Sequence, residues 1–201
     1  MLLKIYPENP REDYIRTIVK TLNNNGVIIY PTDTVYALGC AIDKHKAIDK
    51  LIKIKNNKKK ITNFSFIFES ISQIAEFTTP IQNNIFKALK KHLPGPFTFI
   101  LPCNSNIPKL FRKKKSTIGV RIPDNNIANA IIKELGRPML TTSIHSDDIT
   151  EYTSNPELLH AKYENIVDII IDGGIGGIEP STIIDATQGE LNIIRQGKGV
   201  L

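Results

Sequence analysis

Apolar residues recur at helical spacing through Tyr14, Ile15, Ile18, Val19 and Leu22, which predicts a helix over 11–25 stopped by Gly26. Residues 26–30 then form an apolar, β-branched run ended by Pro31, the pattern of a buried strand. The helical period returns at Ile48, Leu51, Ile52 and Ile54, and predicts helices again over 81–91, 127–135 and 155–163. Gly136 and Pro138 stop the second of these three, and Ser154 or Asn155 caps the third before Pro156. Short apolar runs at 64–68, 97–101, 117–122, 139–143, 167–171, 181–185 and 191–194 read as strands. Leu93-Pro94-Gly95-Pro96 is a rigid turn. There is no internal repeat. So many short strands among helices predict one α/β domain over 1–201, with a twisted open mixed β-sheet and flanking helices. Strands crowd together near the carboxyl end, which disfavours a purely parallel sheet.

Composition narrows the class. With 201 residues, 41% of them hydrophobic and 7% aromatic, the chain suits one core and needs no metal or disulfide staple. Collagen-like, disordered and disulfide-scaffold classes are excluded. Cys40 and Cys103 stand far apart without a Cys-x-x-Cys context, so both are expected reduced and packed. The start Met1-Leu2-Leu3-Lys4-Ile5-Tyr6-Pro7 is too soon interrupted for a signal peptide, and no run approaches the roughly 20 apolar residues of a membrane span. The expected location is the cytoplasm, with no membrane partner.

The 26 Lys and Arg against 20 Asp and Glu leave a net charge of +6. That excess suits either a polyanion partner or a solvated lysine surface. Lys44, Lys46, Lys50, Lys53, Lys55 and Lys58 to Lys60 form one basic stretch, and Arg112 to Lys115 a second. Each is either a nonspecific phosphate contact or a solvated face.

Three strand-end segments carry chemistry. Pro31-Thr32-Asp33-Thr34-Val35-Tyr36-Ala37-Leu38-Gly39 places hydroxyls and a carboxylate beyond a buried strand, where α/β folds bind ligands, or else is a turn capping its own amides. Arg121 lies among aliphatics in Ile118-Gly119-Val120-Arg121-Ile122-Pro123, so it pairs with a carboxylate of the fold or awaits an anionic ligand. Thr141, Thr142, Ser143 and His145 gather at another strand end, with ordinary turn chemistry as the alternative to anion binding. The glycine-dense 171–177 lacks the dinucleotide order and reads as a loop that lets Pro180-Ser181-Thr182 approach another group, or as a plain hairpin. Neither a Walker motif nor a His-Glu-x-x-His helix occurs. No metal site is expected.

In their order, Tyr30 to Gly39, Leu93-Pro94-Gly95-Pro96-Phe97-Thr98-Phe99-Ile100-Leu101 and Ser116 to Pro123 resemble the YrdC/YciO family, most closely its YciO-type branch. Asp172-Gly173-Gly174, Pro180 to Asp185 and Ile194-Arg195-Gln196-Gly197 extend the resemblance over nearly the whole chain. It implies a concave basic cavity and the synthesis of threonylcarbamoyl-adenylate from L-threonine, bicarbonate and ATP, with Mg²⁺, for tRNA modification. It also implies double-stranded RNA or tRNA binding, a monomer or weak dimer, and a length that leaves out the extra carboxyl-terminal domain of longer relatives. By resemblance, Lys55, Arg121 and Ser143 are catalytic; Thr32, Tyr36, Arg121, Thr141 and Ser181 bind substrate; Thr117, Ser143, Thr182 and Arg195 bind nucleotide. Three positions depart from the synthase pattern: Asn57 replaces an arginine, His145 an asparagine, and Phe68 a polar strand residue. A noncatalytic RNA- or nucleotide-binding paralogue is the alternative those departures leave.

Overall fold

The computed structural model describes residues 1–55, 64–112, 116–144 and 151–201. Strands β2 (Ile28–Tyr30) and β3 (Ala37–Ala41) pair antiparallel, with Ile28 opposite Gly39 and Tyr30 opposite Ala37. The segment expected to be a loop through Gly39 is therefore a hairpin whose second arm begins at Ala37. Its small residues, buried throughout, show little alternation, and pairing on both edges makes them a strand.

The remaining strands are β1 (Leu2–Lys4), β4 (Ser65–Ile67), β5 (Phe97–Pro102), β6 (Thr117–Arg121), β7 (Met139–Ser143), β8 (Ile169–Asp172), β9 (Thr182–Asp185) and β10 (Asn192–Arg195). They join one ten-stranded sheet in the order β1-β8-β2-β3-β7-β4-β6-β5-β9-β10. The sheet holds both parallel pairs, such as β4 with β6, and antiparallel ones, such as β5 with β6, so it is mixed as expected.

The helices are α1 (Glu12–Asn23), α2 (His45–Lys55), α3 (Ile71–Phe77), α4 (Asn83–His92), α5 (Lys109–Arg112), α6 (Asn126–Leu135), α7 (Glu151–Ser154) and α8 (Pro156–Tyr163). Local chemistry sets their ends. The Asn125 side chain accepts from the Ala128 amide at 3.0 Å, and Gly136, at φ +69°, closes α6 in the left-handed conformation. Asn155, rather than Ser154, caps α8 by accepting from the Glu157 amide at 2.9 Å, with Pro156 opening the helix.

Each face of the sheet has its own core. Leu38, Phe66, Phe99, Val120, Leu140 and Ile170 meet α2, α3, α4, α5 and α8 on one face. Ile28, Tyr30, Ile67, Met139, Ile169 and Ile171 meet α1 and α6 on the other, through Ile15, Ile18, Leu22, Ile127, Ile131 and Ile132. Each such fully buried aliphatic side chain contributes about 1.5–3 kcal/mol. Cys40 is buried in the first core, Cys103 is partly buried, and both are free thiols. No helix among the described residues is long and apolar enough to cross a membrane.

Candidate functional site

Alternation along the strands decides what fills the rest of the second face. Thr141 of β7 stands opposite Ser65 of β4, which stands opposite Gly119 of β6, so their side positions share one row. A Cβ on Gly119 would lie 2.9 Å from Ser65 Oγ and 3.1 Å from Thr98 Cγ2, which places Thr98 of β5 on the same patch. The row ahead carries Ile67 opposite Arg121. Ile67 belongs to the apolar core shared with α1 and α6, while Thr141, Thr98 and Arg121 near it are buried polar residues, so hydroxyls and a guanidinium border that core.

Arg121 organises the patch. Its side chain is 5% exposed, and Nη2 donates to Asp33 Oδ1 at 2.8 Å and to Thr34 Oγ1 at 3.1 Å. Thr34 and Thr32 hydroxyls lie 3.0 Å apart, and Thr32 donates to the Val35 carbonyl at 2.7 Å. Donor direction is therefore consistent from the guanidinium through Thr34 and Thr32 to the main chain. The 31–36 connection is both a local turn and the seat of the carboxylate that Arg121 needs. Even so, Arg121 Nε and Asp33 Oδ2 are buried without a hydrogen-bond partner. Leaving polar atoms of a charged pair so costs about 1–3 kcal/mol each.

Cations converge on the same place. Arg195 Nη2 donates to the Ser181 carbonyl at 2.7 Å, while its Nε is also buried and unpartnered. Burial first, and then the charge of Arg121, hold the Arg195 pKa below its usual value. Ser181 Oγ shares a hydrogen bond of 2.8 Å with Thr98 Oγ1. Lys55, at the end of α2, donates to the Ser143 carbonyl at 2.8 Å, and burial lowers its pKa. Lys198 Nζ donates to the Asp33 carbonyl at 2.6 Å.

The residues singled out by resemblance divide by what their atoms touch. Thr32, Arg121, Ser181 and Arg195 surround one patch, and Lys55 joins Ser143 at the β7 end beside it. Thr117 is partly buried at the outer end of β6, opposite Pro102. The Thr141 hydroxyl donates to the Leu38 carbonyl at 3.1 Å and accepts from Tyr30 at 2.7 Å. Tyr36 donates to the Gly174 carbonyl at 2.7 Å and accepts from the Gly173 amide at 3.1 Å, and burial pushes its pKa up to about 12. The hydroxyl of Thr182 holds the carboxyl-terminal tail, donating to the Gly199 carbonyl at 2.6 Å and accepting from the Gly197 amide at 2.9 Å.

The glycine loop packs against the hairpin: a Cβ on Gly177 would stand 2.1 Å from the Thr34 carbonyl oxygen. Phe68 is fully buried in the first core, on the opposite face, and the polar side chain that β4 offers the site is Ser65. Ser65 and Thr98 were legible as lone polar residues inside apolar strands. Asn57, His145, Lys58 to Lys60 and Lys113 to Lys115 lie outside the described residues. Among the described residues no group of three His, Cys, Asp or Glu is placed to hold a metal ion.

Fold and patch together define an α/β domain with cations and hydroxyls gathered at strand ends, an arrangement suited to anionic ligands. The Sua5/YciO/YrdC family model, described as telomere recombination, matches residues 20–197. The chain belongs to this family. It is 36% identical over 196 residues to YciO of Escherichia coli (strain K12), covering 97% of this chain and 94% of that protein. The crystal structure of E. coli YciO superposes with a TM-score of 0.91 at 35% identity, covering 100% of this chain and 97% of that one. The threonylcarbamoyl-AMP synthase of Coxiella burnetii (strain RSA 493 / Nine Mile phase I) is 30% identical over 184 residues, covering 90% of this chain and 98% of that protein. The fold also matches P. abyssi Sua5 complexed with L-threonine, with a TM-score of 0.84 at 24% identity over 98% of this chain and 57% of that one.

Proposed function

We propose that this protein binds L-threonine and ATP on the Arg121 patch and makes threonylcarbamoyl-adenylate, with bicarbonate as third substrate. The observation that carries the reading is the buried Arg121 guanidinium, fixed by Asp33 and Thr34 with Nε unpartnered, facing the charge of Arg195. A buried donor so held is suited to a carboxylate, and the adjacent Arg195 to a phosphate. The relation to a threonylcarbamoyl-AMP synthase and the fold shared with a threonine-bound protein support the same substrates.

In this reaction the threonine amine and bicarbonate give a carbamate with loss of water. A carbamate oxygen attacks the α-phosphorus, the bond to the bridging oxygen breaks, and pyrophosphate leaves. The chain's part is positioning and charge stabilisation. Arg121 orients the amino acid, with Thr32, Tyr36 and Ser181 bordering it. Lys55, Ser143, Thr117 and Arg195 receive the nucleotide. Mg²⁺ would enter on the ATP phosphates and offset their charge.

The test is pyrophosphate release by purified protein with L-threonine, bicarbonate and Mg-ATP, beside thermal stabilisation by ATP. Release that requires all three substrates is the expected result. No release and no stabilisation overturns the reading. Asn57 and His145 favour a second reading, in which the protein binds nucleotide or double-stranded RNA, tRNA included, without turnover. Stabilisation by ATP without pyrophosphate release, and RNA affinity that falls steeply with salt, are its signature.

A further inference from the structure

The cations around the patch share an unusual feature. Lys55, Arg195 and Lys198 each donate to a main-chain carbonyl, of Ser143, Ser181 and Asp33 respectively, and none forms an ion pair with a described carboxylate. Asp33, the carboxylate of the patch, is committed to Arg121. A neutral carbonyl satisfies a donor but leaves the charge uncompensated, and Arg195 is in addition burdened by Arg121.

Lys198 carries no motif, yet the tail holds it firmly. Its amide donates to the Pro180 carbonyl at 2.9 Å. On either side, the Gly197 amide and Gly199 carbonyl bind the Thr182 hydroxyl, and Gln196 Nε2 donates to the Gly197 and Gly199 carbonyls at 2.8 and 2.7 Å. Gly197 is required there, since its Cβ would come within 2.2 Å of the Pro180 carbonyl oxygen. The Thr182 hydroxyl thus fixes the backbone of a lysine whose exposed side chain reaches the Asp33 carbonyl at the edge of the patch.

We infer that Lys198 is a nucleotide-binding residue: its ammonium leaves the Asp33 carbonyl to bind the polyphosphate of ATP beside Arg195. This deepens the proposed function and rests on its nucleotide site. It adds a cation from the tail to Arg195 and Lys55, though lysine offers a point charge and no bidentate fork.

The experiment is calorimetric titration of wild type, Lys198→Met and Lys198→Arg with Mg-ATP, AMP and inorganic tripolyphosphate, each variant's melting temperature being measured in parallel. Lys198→Met is expected to weaken ATP and tripolyphosphate binding about tenfold, AMP much less, with Lys198→Arg recovering most of the loss. L-threonine affinity and the melting temperature stay as in wild type. An ATP affinity unchanged in a folded Lys198→Met protein overturns the inference and leaves the synthase reading standing. Lys198-dependent binding of tripolyphosphate and ATP without pyrophosphate release keeps the inference and removes the synthase. Equal losses for ATP and AMP also overturn it, because Lys198 would then act on the site's structure and not on the distal phosphates.

Discussion

On the face of the sheet that carries Arg121, one region is the apolar core shared with α1 and α6 and the other is a patch of polar side chains, and β7 and β4 run through both. Met139 and Ile67 pack under the helices, whereas Thr141 and Ser65, two residues away along the same strands, stand among hydroxyls. Backbone pairing is continuous across the seam, so the strands themselves are indifferent to it. What differs is the covering layer. Where α6 supplies Ile131 and Ile132, inward positions are apolar; where the 31–36 connection supplies Asp33 and Thr34, they hold Arg121 and Thr98, buried at the cost of desolvation, with Ser65 partly buried beside them. The site is thus a stretch of sheet covered by a polar turn and filled with polar side chains that satisfy one another incompletely.

The sharpest way to break this contrast is Arg121→Met, which turns the polar region apolar without supplying a helix. Asp33, 7% exposed, is then left without its cation, and unfolding in urea should show a loss of about 3–5 kcal/mol. Arg121→Met combined with Asp33→Asn should recover much of that stability and none of the threonine binding. If the double variant is no more stable than the single one, the ion pair is not what the polar region is built around.

The covered region should respond in the opposite sense. Ile131→Ala on α6 removes a fully buried side chain and should cost about 2–4 kcal/mol in the same unfolding measurement. Nucleotide and threonine affinity of the folded variant should remain within about twofold of wild type, since additivity holds between separated sites. A large affinity loss would mean that the two regions are coupled through β7 and β4.

Gly119→Ala probes the polar floor directly. The added methyl meets the ends of Ser65 and Thr98, small side chains that can rotate, so stability should fall by only about 1 kcal/mol. Ligand affinity should fall more than stability does, because both hydroxyls are displaced from the site. Loss of stability alone, read by calorimetry and melting together, would remove Ser65 and Thr98 from the ligand-facing set.

Elements with strong local chemistry were legible in the chain, and those defined by their neighbours were not. Strand β7 fell over Met139–Ser143 as read, α6 ended at Gly136 and Asn155 capped α8, each by a residue type with a local reason to be there. Strand β3 was hidden because Ala37-Leu38-Gly39-Cys40-Ala41, buried on both faces and poor in β-branched residues, gives no period. In the site, Arg121 announced itself as a charge among aliphatics, but its carboxylate lay 88 positions away, a distance only the fold can close. Lys198 had no local signature at all. Its place depends on Thr182, whose hydroxyl read as a ligand contact and whose bonds run to the tail.

The smallest effect belongs to the seam. Tyr30 is a member of the apolar core, yet its hydroxyl donates to Thr141 in the polar region. Tyr30→Phe should cost about 1 kcal/mol near neutral pH, since Thr141 keeps its bond to the Leu38 carbonyl. The same contact has an alkaline signature. Burial pushes the Tyr30 pKa from 10.0 up to about 12, so the unfolded chain loses this proton first. The tyrosine's contribution is therefore complete below about pH 10 and declines as pH rises through about 12. Cys40, pushed by burial from 9.0 up to about 12, adds a decline of the same sign that begins about one unit lower. Unfolding measured from pH 8 upward should thus fall less steeply above about pH 10 in Tyr30→Phe than in wild type, with the Cys40 portion unchanged. Identical slopes would mean that water reaches Tyr30 from the polar region, and the seam would then be open where the full burial of Tyr30 requires it closed.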